Sequence, residues 1–238
     1  MTGDIVYVWL IRSDVPATVL ADLEKVLDES ERNRAAMIAV DRDRCRFTAA
    51  HGAARIILGN HLGMPPEQLR WRHGPHGKPE LAGACAGAQV SLSHSAHLAA
   101  LAVTRRRRVG VDLQQLQASI DATGMSARFY PAGEARFVAT AAGAAGQLSR
   151  FVRLWTRKEA CVKVTGGYLM QGMKLPVHGK DPIVVSDPAG ALPGPYLVRD
   201  VPAPRGFRAA VAVEGTLPYR VTLRWWPGDS LADPATPG

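Results

Sequence analysis

Residues 150–166 read RFVRLWTRKEACVKVTG and residues 46–59 read RFTAAHGAARIILG, and these two stretches decide the predicted fold. In both, apolar or small residues recur with the period of an amphipathic helix that packs on a core. Several short β-prone segments follow each helix. The sequence therefore predicts a duplicated α+β fold of two similar lobes, which we place at residues 1–115 and 116–238.

The β-prone segments are separated by Gly, Pro or charged residues, which favours mainly antiparallel sheets over regular βαβ units. Strands are predicted at 5–11, 69–74, 90–95, 98–103 and 109–113 in the first half and at 196–200, 207–213 and 219–226 in the second. Helices are predicted at 17–27, 43–62 and 148–164, with a short helix near Phe129 and a linker from Ala139 to Gly146.

The composition is typical of a globular protein, with 47% hydrophobic and 21% charged residues in a chain of 238. No stretch approaches the length that spans a membrane, and the apolar run 5–11 lacks the basic leader of a signal peptide. The cysteines, Cys45, Cys85 and Cys161, show no CxxC spacing. We therefore expect a reduced, cytoplasmic protein without a membrane partner.

A net charge of +8 predicts an anionic partner, which could be nucleic acid, a phosphorylated cofactor or an acidic protein. The run from Arg105 to Arg108 lies between two predicted strands, where it is either a solvated turn or a surface that binds acidic groups. Aromatic residues make up only 6% of the chain, and no basic helix pair is evident. We therefore expect no nucleic-acid partner, and keep a basic nucleic-acid-binding module only as an alternative.

The second long helix carries charges where its apolar face should continue. On a helical wheel Lys158 falls inside the apolar sector, and Glu159 and Lys163 lie on its edge, four residues apart, where their side chains can meet. These residues are either functional, or a snorkelling lysine beside a surface ion pair.

Asp112 and Gln114 lie on one face of the strand VGVDLQ, where the carboxylate could bind a hard cation such as Mg²⁺ or could cap a turn. In SLSHS, His94 lies between two serines and could donate to phosphate, or could be a structural histidine. The loop HGPHGKP could bring backbone N–H groups and Lys78 against phosphate, or be an ordinary turn. A serine hydrolase is a poor fit because no GxSxG motif is present.

These pieces occur in a characteristic order. HGKP, SLSHS, VGVDLQ, RFYPAGE and LWTRKEACVKVTG resemble the successive motifs of surfactin-type 4′-phosphopantetheinyl transferases, the larger, pseudodimeric type of that superfamily. The ordered set is far more specific than any one motif. The resemblance implies two similar α+β lobes with the active site in the cleft between them. It also implies transfer of the 4′-phosphopantetheine group from coenzyme A to a serine of an acyl or peptidyl carrier protein, with release of adenosine 3′,5′-bisphosphate.

By the same resemblance, Asp112 and Glu159 would bind Mg²⁺ or Mn²⁺, and Glu159 would be the catalytic base. His94 and Lys163 would stabilise charge on the leaving group. Coenzyme A would contact a set of residues from both halves of the chain: Arg46, His76, Gly77, Lys78, Pro79, Ser93, His94 and Lys163.

Two more residues are candidate metal ligands by resemblance. Many relatives have a carboxylate at the position of Gln114, so its amide oxygen or a water would replace that ligand. Glu134 in RFYPAGE matches another family position and could assist the metal or its waters.

The Gln114 difference leaves open a degenerate homologue that binds coenzyme A or the carrier without transfer, although Asp112, Glu159 and Lys163 are retained. A cleft formed within one chain favours a monomer. The sequence does not choose among carriers of fatty acid, polyketide and nonribosomal peptide synthesis.

Overall fold

The structure is a computed structural model that describes residues 4–227. In the first half the elements are β1 (Asp4–Arg12), α1 (Ala17–Lys25), α2 (Glu29–Ala36), α3 (Asp41–Leu62), β2 (Trp71–His73), β3 (Pro79–Leu81), β4 (Gln89–Ser95) and β5 (Leu98–Thr104). In the second half they are β6 (Val109–Gln115), α4 (Ala122–Phe129), α5 (Ala132–Ala139), α6 (Gly143–Thr165), α7 (Leu169–Gly172), β7 (Ile183–Val185), β8 (Tyr196–Val201), β9 (Phe207–Glu214) and β10 (Tyr219–Trp226). None of the helices in this range is long and apolar enough to cross a membrane.

Two four-stranded sheets have the orders β10-β1-β5-β4 and β6-β9-β8-β7, and β2 and β3 form a separate hairpin. Without the outer strands β10 and β7, the orders are β1-β5-β4 and β6-β9-β8. In both, the strand that comes first in the chain lies beside the one that comes last, and the remaining strand follows. In each half the first strand is followed by two short helices and one long helix before the remaining strands. This repeat confirms the predicted α+β fold of two similar units. All pairs in the two large sheets are antiparallel except β1 with β10.

The two sheets face each other, and each carries one long helix on its outer side. Alternate residues of β1 and β5 pack against those of β6 and β9 to form the core between the sheets. The other face of the first sheet packs on α3, and the other face of the second packs on α6. Because side chains alternate along a strand, Asp112 on β6 lies on the face turned toward α6, opposite its buried neighbours Val111 and Leu113.

A buried ion pair is repeated in both halves. Glu31 on α2 pairs with Arg55 on α3. Glu134 on α5 pairs with Lys158 on α6 at 2.6 Å. In both pairs the cation follows the carboxylate by the same number of positions in the chain. Both cations are fully buried and also donate to backbone carbonyls beyond the end of their own helix. Of the two alternatives for Lys158, a snorkelling surface lysine is therefore wrong, because its ammonium group is enclosed with a carboxylate partner.

The two sheets exchange strands across the predicted boundary between residues 115 and 116. β6 precedes the boundary but pairs with β9, whereas β10 follows it and pairs with β1 in the first sheet. The boundary at this position stays a prediction. Because of the strand exchange, each large sheet contains strands from both predicted segments.

Five short elements of the described chain were not predicted, namely α2, α5, α7, β3 and β7. The sequence of α2, ESERNRAA, has no apolar face, and a capping box between Asp28 and Glu31 holds its first turn. The linker predicted from Ala139 to Gly146 was partly wrong, because α6 already begins at Gly143.

Candidate active site

The close contact between β6 and α6 positions the acidic residues of the site. Gly110 lies two residues before Asp112 on the same face of β6, and a Cβ atom there would be 2.1 Å from the carbonyl oxygen of Ala160. Only a glycine therefore allows α6 to lie directly on this strand. The approach brings Glu159 and Lys163, which are one turn apart on α6, toward Asp112.

Asp112 is fully buried, and only one of its carboxylate oxygens has a partner in the described part of the chain. Its Oδ1 atom accepts hydrogen bonds from Lys163 Nζ at 2.6 Å and from Ser93 Oγ at 2.8 Å. Its Oδ2 atom is buried without a donor. Buried carboxylate oxygens normally have a partner, so this atom is a candidate ligand for a cation.

Glu159 is the second carboxylate of the site. Burial and then the negative charge of Asp112 raise the pKa of Glu159 to about 7, although the Lys163 ammonium group opposes the shift. Asp112 and Glu159 bring two negative charges to the site, and Lys163 brings one positive charge. A divalent cation would neutralise the excess negative charge. No group of three or more His, Cys, Asp or Glu side chains in residues 4–227 is arranged for a metal. Two carboxylates, completed by waters and phosphate oxygens, are the ligands that suit Mg²⁺.

The raised pKa predicts how Glu159 affects stability in metal-free protein. Between pH 4.5 and about 7 the folded state binds more protons at Glu159 than the unfolded state, so its contribution to stability falls as pH rises through this window. Glu159→Gln should therefore raise the free energy of unfolding by ~1–3 kcal/mol at pH 8 and by much less at pH 4.5.

Urea denaturation in EDTA at both pH values measures this difference. Glu67→Gln, at an exposed carboxylate, is the matched control and should change neither value. An equal effect of Glu159→Gln at the two pH values would contradict the proposed environment of Glu159.

A row of serines on β4 joins the two sheets at the site. Three backbone N–H groups of β6 donate to three serine hydroxyls of β4, in the pairs Val111 to Ser91 at 3.1 Å, Leu113 to Ser93 at 3.4 Å and Gln115 to Ser95 at 3.0 Å. The middle serine also accepts a hydrogen bond from Lys163 Nζ at 2.9 Å. Ser93 therefore links the strand of the first sheet to both Asp112 and Lys163.

Ser93→Ala is expected to lower kcat/KM by ~10–100-fold, because it removes two charge-assisted hydrogen bonds that hold Asp112 and Lys163 in place. Ser91→Ala removes only a contact to the β6 backbone and should cost less than ~5-fold. Steady-state kinetics of both variants, with circular dichroism to check the fold, measures the difference. Equal losses in the two variants would show that the serines act only by joining the sheets.

His94 is exposed at the end of β4, beside a group of cations. The pKa of His94 is lowered by the packing around its ring and by the positive charges of His51, Lys163 and Arg34. His51 stacks on Phe47 at a ring distance of 4.0 Å and lies 3.3 Å from Glu31. The cations Lys163 and Arg34 lie near His94, whose neutral ring can donate one N–H, and this combination suits phosphate groups.

The loop from His73 to Pro79 lies against the start of β6 and the end of α6. Lys78 Nζ donates to the carbonyl oxygens of Val109 at 2.7 Å and Val164 at 2.9 Å, and burial lowers the pKa of Lys78 to about 8. Its ammonium group thus joins the first-half hairpin to β6 and α6. A cavity of about 570 Å³ adjoins the loop, and charged or polar residues line it together with Pro79: Arg72, His73, Lys78, Glu80, Gln89 and Arg108. Arg72 pairs with Glu80 at 2.8 Å. His76 and Gly77 are exposed at the tip of the loop, where Gly77 has a φ of 78°.

The other predicted site residues have partners within the protein. Arg46 pairs with Asp14 at 2.8 Å, and this hydrogen bond lowers the pKa of Asp14. Gln114 Oε1 accepts only a long hydrogen bond of 3.4 Å from Ser95 Oγ. Glu134 Oε1 accepts from the backbone N–H groups of Val177 at 2.6 Å and His178 at 2.8 Å, and its other oxygen contacts Lys158.

Sequence reasoning did not find three cations of this region, namely Arg34 and His51 beside His94 and Arg72 in the cavity, whereas Arg108 belongs to the arginine run that it singled out. One signal was available for His51, which lies four residues after Phe47 on the same face of α3. Arg34 lies on α2, a helix that was not predicted, and Arg72 lies on β2, where nothing in the local sequence shows the cavity.

The fold and the acidic pair on β6 and α6 agree with one class of enzyme. Residues 108–190 match the 4′-phosphopantetheinyl transferase superfamily. The chain is 36% identical over 168 residues to the 4′-phosphopantetheinyl transferase HetI of Nostoc sp., with 70% of each chain covered. It is 28% identical to a putative 4′-phosphopantetheinyl transferase of Synechocystis sp., with 70% of this chain and 67% of the relative covered. It is also 33% identical to the 4′-phosphopantetheinyl transferase AcpT of Salmonella typhimurium, with 50% and 59% covered.

The chain therefore belongs to the 4′-phosphopantetheinyl transferase superfamily. It is a phosphopantetheinyl transferase.

Proposed function

We propose that this enzyme transfers the 4′-phosphopantetheine group of coenzyme A to a serine of an acyl or peptidyl carrier protein and releases adenosine 3′,5′-bisphosphate. The observation that carries the proposal is the buried carboxylate of Asp112, with one oxygen free of donors and Glu159 and Lys163 beside it. This arrangement suits a pyrophosphate group together with a divalent cation.

Asp112 and Glu159 are the proposed metal ligands. Mg²⁺ or Mn²⁺ held by these residues would neutralise the charge of the coenzyme A pyrophosphate. The Gln114 amide oxygen or a water would be a further ligand, since the Gln114 amide has only a long contact to Ser95. We leave Glu134 out of the ligand set, because both of its oxygens are already engaged.

The nucleotide half of coenzyme A is proposed to lie along the loop from His73 to Pro79. Exposed backbone groups at His76 and Gly77 are available there, and the adjoining cavity offers the guanidinium group of Arg108. Arg72 would have to exchange its ion pair with Glu80 for one with phosphate. His94, Ser93 and the neighbouring His51 would face phosphate from the β4 side. Arg46 stays a proposed contact, and it would have to exchange its ion pair with Asp14 for one with phosphate.

In the proposed reaction the carrier serine oxygen forms a bond to the β-phosphorus of coenzyme A, and the bond from that phosphorus to the bridging oxygen breaks. The serine proton passes to Glu159, whose carboxylate lies near Asp112 and Lys163 at the proposed metal site. Lys163 and His94 stabilise the charge that develops on the departing adenosine 3′,5′-bisphosphate. A carboxylate has two oxygens, so Glu159 can bind a cation and still accept the proton.

The repeated units within one chain support the larger, pseudodimeric surfactin type, and we propose a monomer for the same reason. A reduced, cytoplasmic protein is likewise part of the proposal, in line with three cysteines that are all free.

Chromatographic detection of adenosine 3′,5′-bisphosphate tests the reaction directly. Release should require coenzyme A, Mg²⁺ and an apo-carrier of the fatty acid, polyketide or peptide type. Binding of coenzyme A without release on any of the three carriers would favour the degenerate homologue instead.

A further inference from the structure

The ammonium group of Lys78 contacts both elements that carry the acidic site. Its Nζ atom donates to the carbonyl oxygen of Val109 at 2.7 Å and to that of Val164 at 2.9 Å. Val109 is the first residue of β6, and Val164 lies in the last turn of α6. Lys78 therefore joins the hairpin of β2 and β3 to the strand and the helix that position the proposed catalytic residues.

The contact with Val109 extends a row of hydrogen bonds along one edge of β6. In a strand, the N–H and C=O groups of one residue point to the same edge. From Val111 onward, every second N–H group of β6 donates to a serine hydroxyl of β4. The carbonyl of Val109 lies on this same edge, whereas the Arg108 carbonyl accepts from Glu214 N–H on the other edge. Lys78 therefore holds β6 at the end of the serine row.

The contact with Val164 satisfies a carbonyl group at the end of α6. The last four C=O groups of a helix have no partner within the helix, and a positive charge there also interacts favourably with the helix dipole. The helix is followed by Gly166, whose φ of 80° suits glycine. A Cβ atom on Gly166 would be 2.7 Å from the Cβ atom of Lys78. The hairpin thus lies directly against the end of α6, and its lysine caps the helix.

The two carbonyl groups lie beside the closest approach of β6 and α6. Val109 precedes Gly110, and a Cβ atom on Gly110 would be 2.7 Å from the backbone nitrogen of Val164. Val164 in turn follows Lys163, whose Nζ atom donates to Asp112 Oδ1 at 2.6 Å. A movement of the end of α6 away from β6 would therefore separate Lys163 from Asp112.

The loop that carries Lys78 has backbone hydrogen bonds of its own. The N–H of Gly74 donates to the Lys78 carbonyl at 2.9 Å, and the N–H of Gly77 donates to the Gly74 carbonyl at 2.9 Å. His73 also pairs with Pro79 in the hairpin. The loop should therefore keep its shape when the ammonium group is removed, and with it the surface that we propose for the nucleotide.

Resting on the proposed function, we propose that Lys78 is a positioning residue for the transfer reaction. Its ammonium group holds the end of α6 against the start of β6 and so keeps Lys163 on Asp112. Two of its three N–H groups are directed at backbone carbonyls rather than at a ligand. A lysine that bound phosphate directly would act mainly on the affinity for coenzyme A.

Lys78→Met keeps an unbranched side chain against Gly166 and removes the ammonium group. We expect kcat to fall ~30–100-fold, because a small misplacement of Lys163 is costly, while the dissociation constant of coenzyme A changes less than ~3-fold. Lys78→Arg keeps a cation that can donate to both carbonyls, so kcat should stay within ~5-fold of wild type. Steady-state kinetics and isothermal titration calorimetry measure the two quantities. Lys25→Met, at an exposed lysine of α1, is the matched control and should change neither by more than ~2-fold.

A double variant separates positioning from a general loss of stability. In a Lys163→Met background, Lys78→Met should lower kcat by less than ~3-fold, because the residue through which it acts is already absent. Hydrogen exchange gives a readout that needs no turnover. The N–H groups of Gly166 and Gly167 donate to the Val162 carbonyl, and their exchange should quicken at least ~10-fold in Lys78→Met.

Three results would overturn the positioning role. They are a coenzyme A dissociation constant raised at least ~10-fold in Lys78→Met or Lys78→Arg with kcat unchanged, a full ~30-fold loss of kcat in the Lys163→Met background, and unchanged hydrogen exchange at the end of α6. If the wild-type protein releases no adenosine 3′,5′-bisphosphate but Lys78→Met still quickens exchange, Lys78 holds the helix and the proposed transfer fails.

Discussion

Asp112→Asn is expected to reduce kcat/KM for carrier modification at least ~1000-fold. Asparagine keeps the shape of the side chain and an oxygen that can accept from Ser93 and Lys163, so the local packing should persist. The substitution removes the buried negative charge that we propose for cation binding. The loss should therefore be chemical rather than structural, and the unfolding midpoint should not fall.

Gln114→Ala is the matched control, because Gln114 lies two residues later on the same face of β6. Its amide makes only the long contact to Ser95, so we expect a loss of no more than ~10-fold. Steady-state kinetics at saturating Mg²⁺ compares the two variants. Asp112→Asn with activity within ~10-fold of wild type would contradict the proposed role of Asp112.

Glu134→Ala is expected to lower the free energy of unfolding by ~3–5 kcal/mol, because it leaves the fully buried Lys158 ammonium group without its carboxylate. The backbone N–H groups of Val177 and His178 would also lose their acceptor. For a chain of this size the change corresponds to a fall in Tm of ~6–20 °C. Thermal and urea denaturation measure the two quantities.

Glu134→Gln combined with Lys158→Met removes both charges and keeps an acceptor, so it should recover part of this loss. Glu31→Ala is the equivalent change in the first unit. Its effect should be smaller, because Asp28 also pairs with Arg55. A loss below ~1 kcal/mol in Glu134→Ala would show that the buried ion pair does not stabilise the fold.

The long amphipathic helices and the strands with clear β-prone runs could be predicted from the sequence, because their patterns are local. The equivalence of the two ion pairs could not, since it requires knowing that Glu134 on one helix meets Lys158 on another. The helical wheel correctly placed Lys158 in the apolar sector of α6. It could not supply the partner, so the functional and the snorkelling alternatives for Lys158 both stayed open.

The parallel pairing of β10 with β1 was also beyond local patterns. It joins strands from opposite ends of the described chain, and no turn or spacing in the sequence specifies the register.

The central residues of the site were predicted from motifs, and the structure brings Asp112, Ser93 and Lys163 into direct contact. The motifs could not show that Lys78 donates to two backbone carbonyls, or that Glu134 belongs to a buried ion pair. These assignments depend on how the hairpin and α5 pack against α6, which is set by tertiary structure.

The mass of an intact apo-carrier protein, after incubation with this enzyme, coenzyme A and Mg²⁺, tests the central proposal most directly. We predict a gain of about 340 Da, one phosphopantetheine group, which is absent with Asp112→Asn and in the presence of EDTA. An unchanged carrier mass with fatty acid, polyketide and peptide types alike, or a gain that persists in EDTA, would contradict the account.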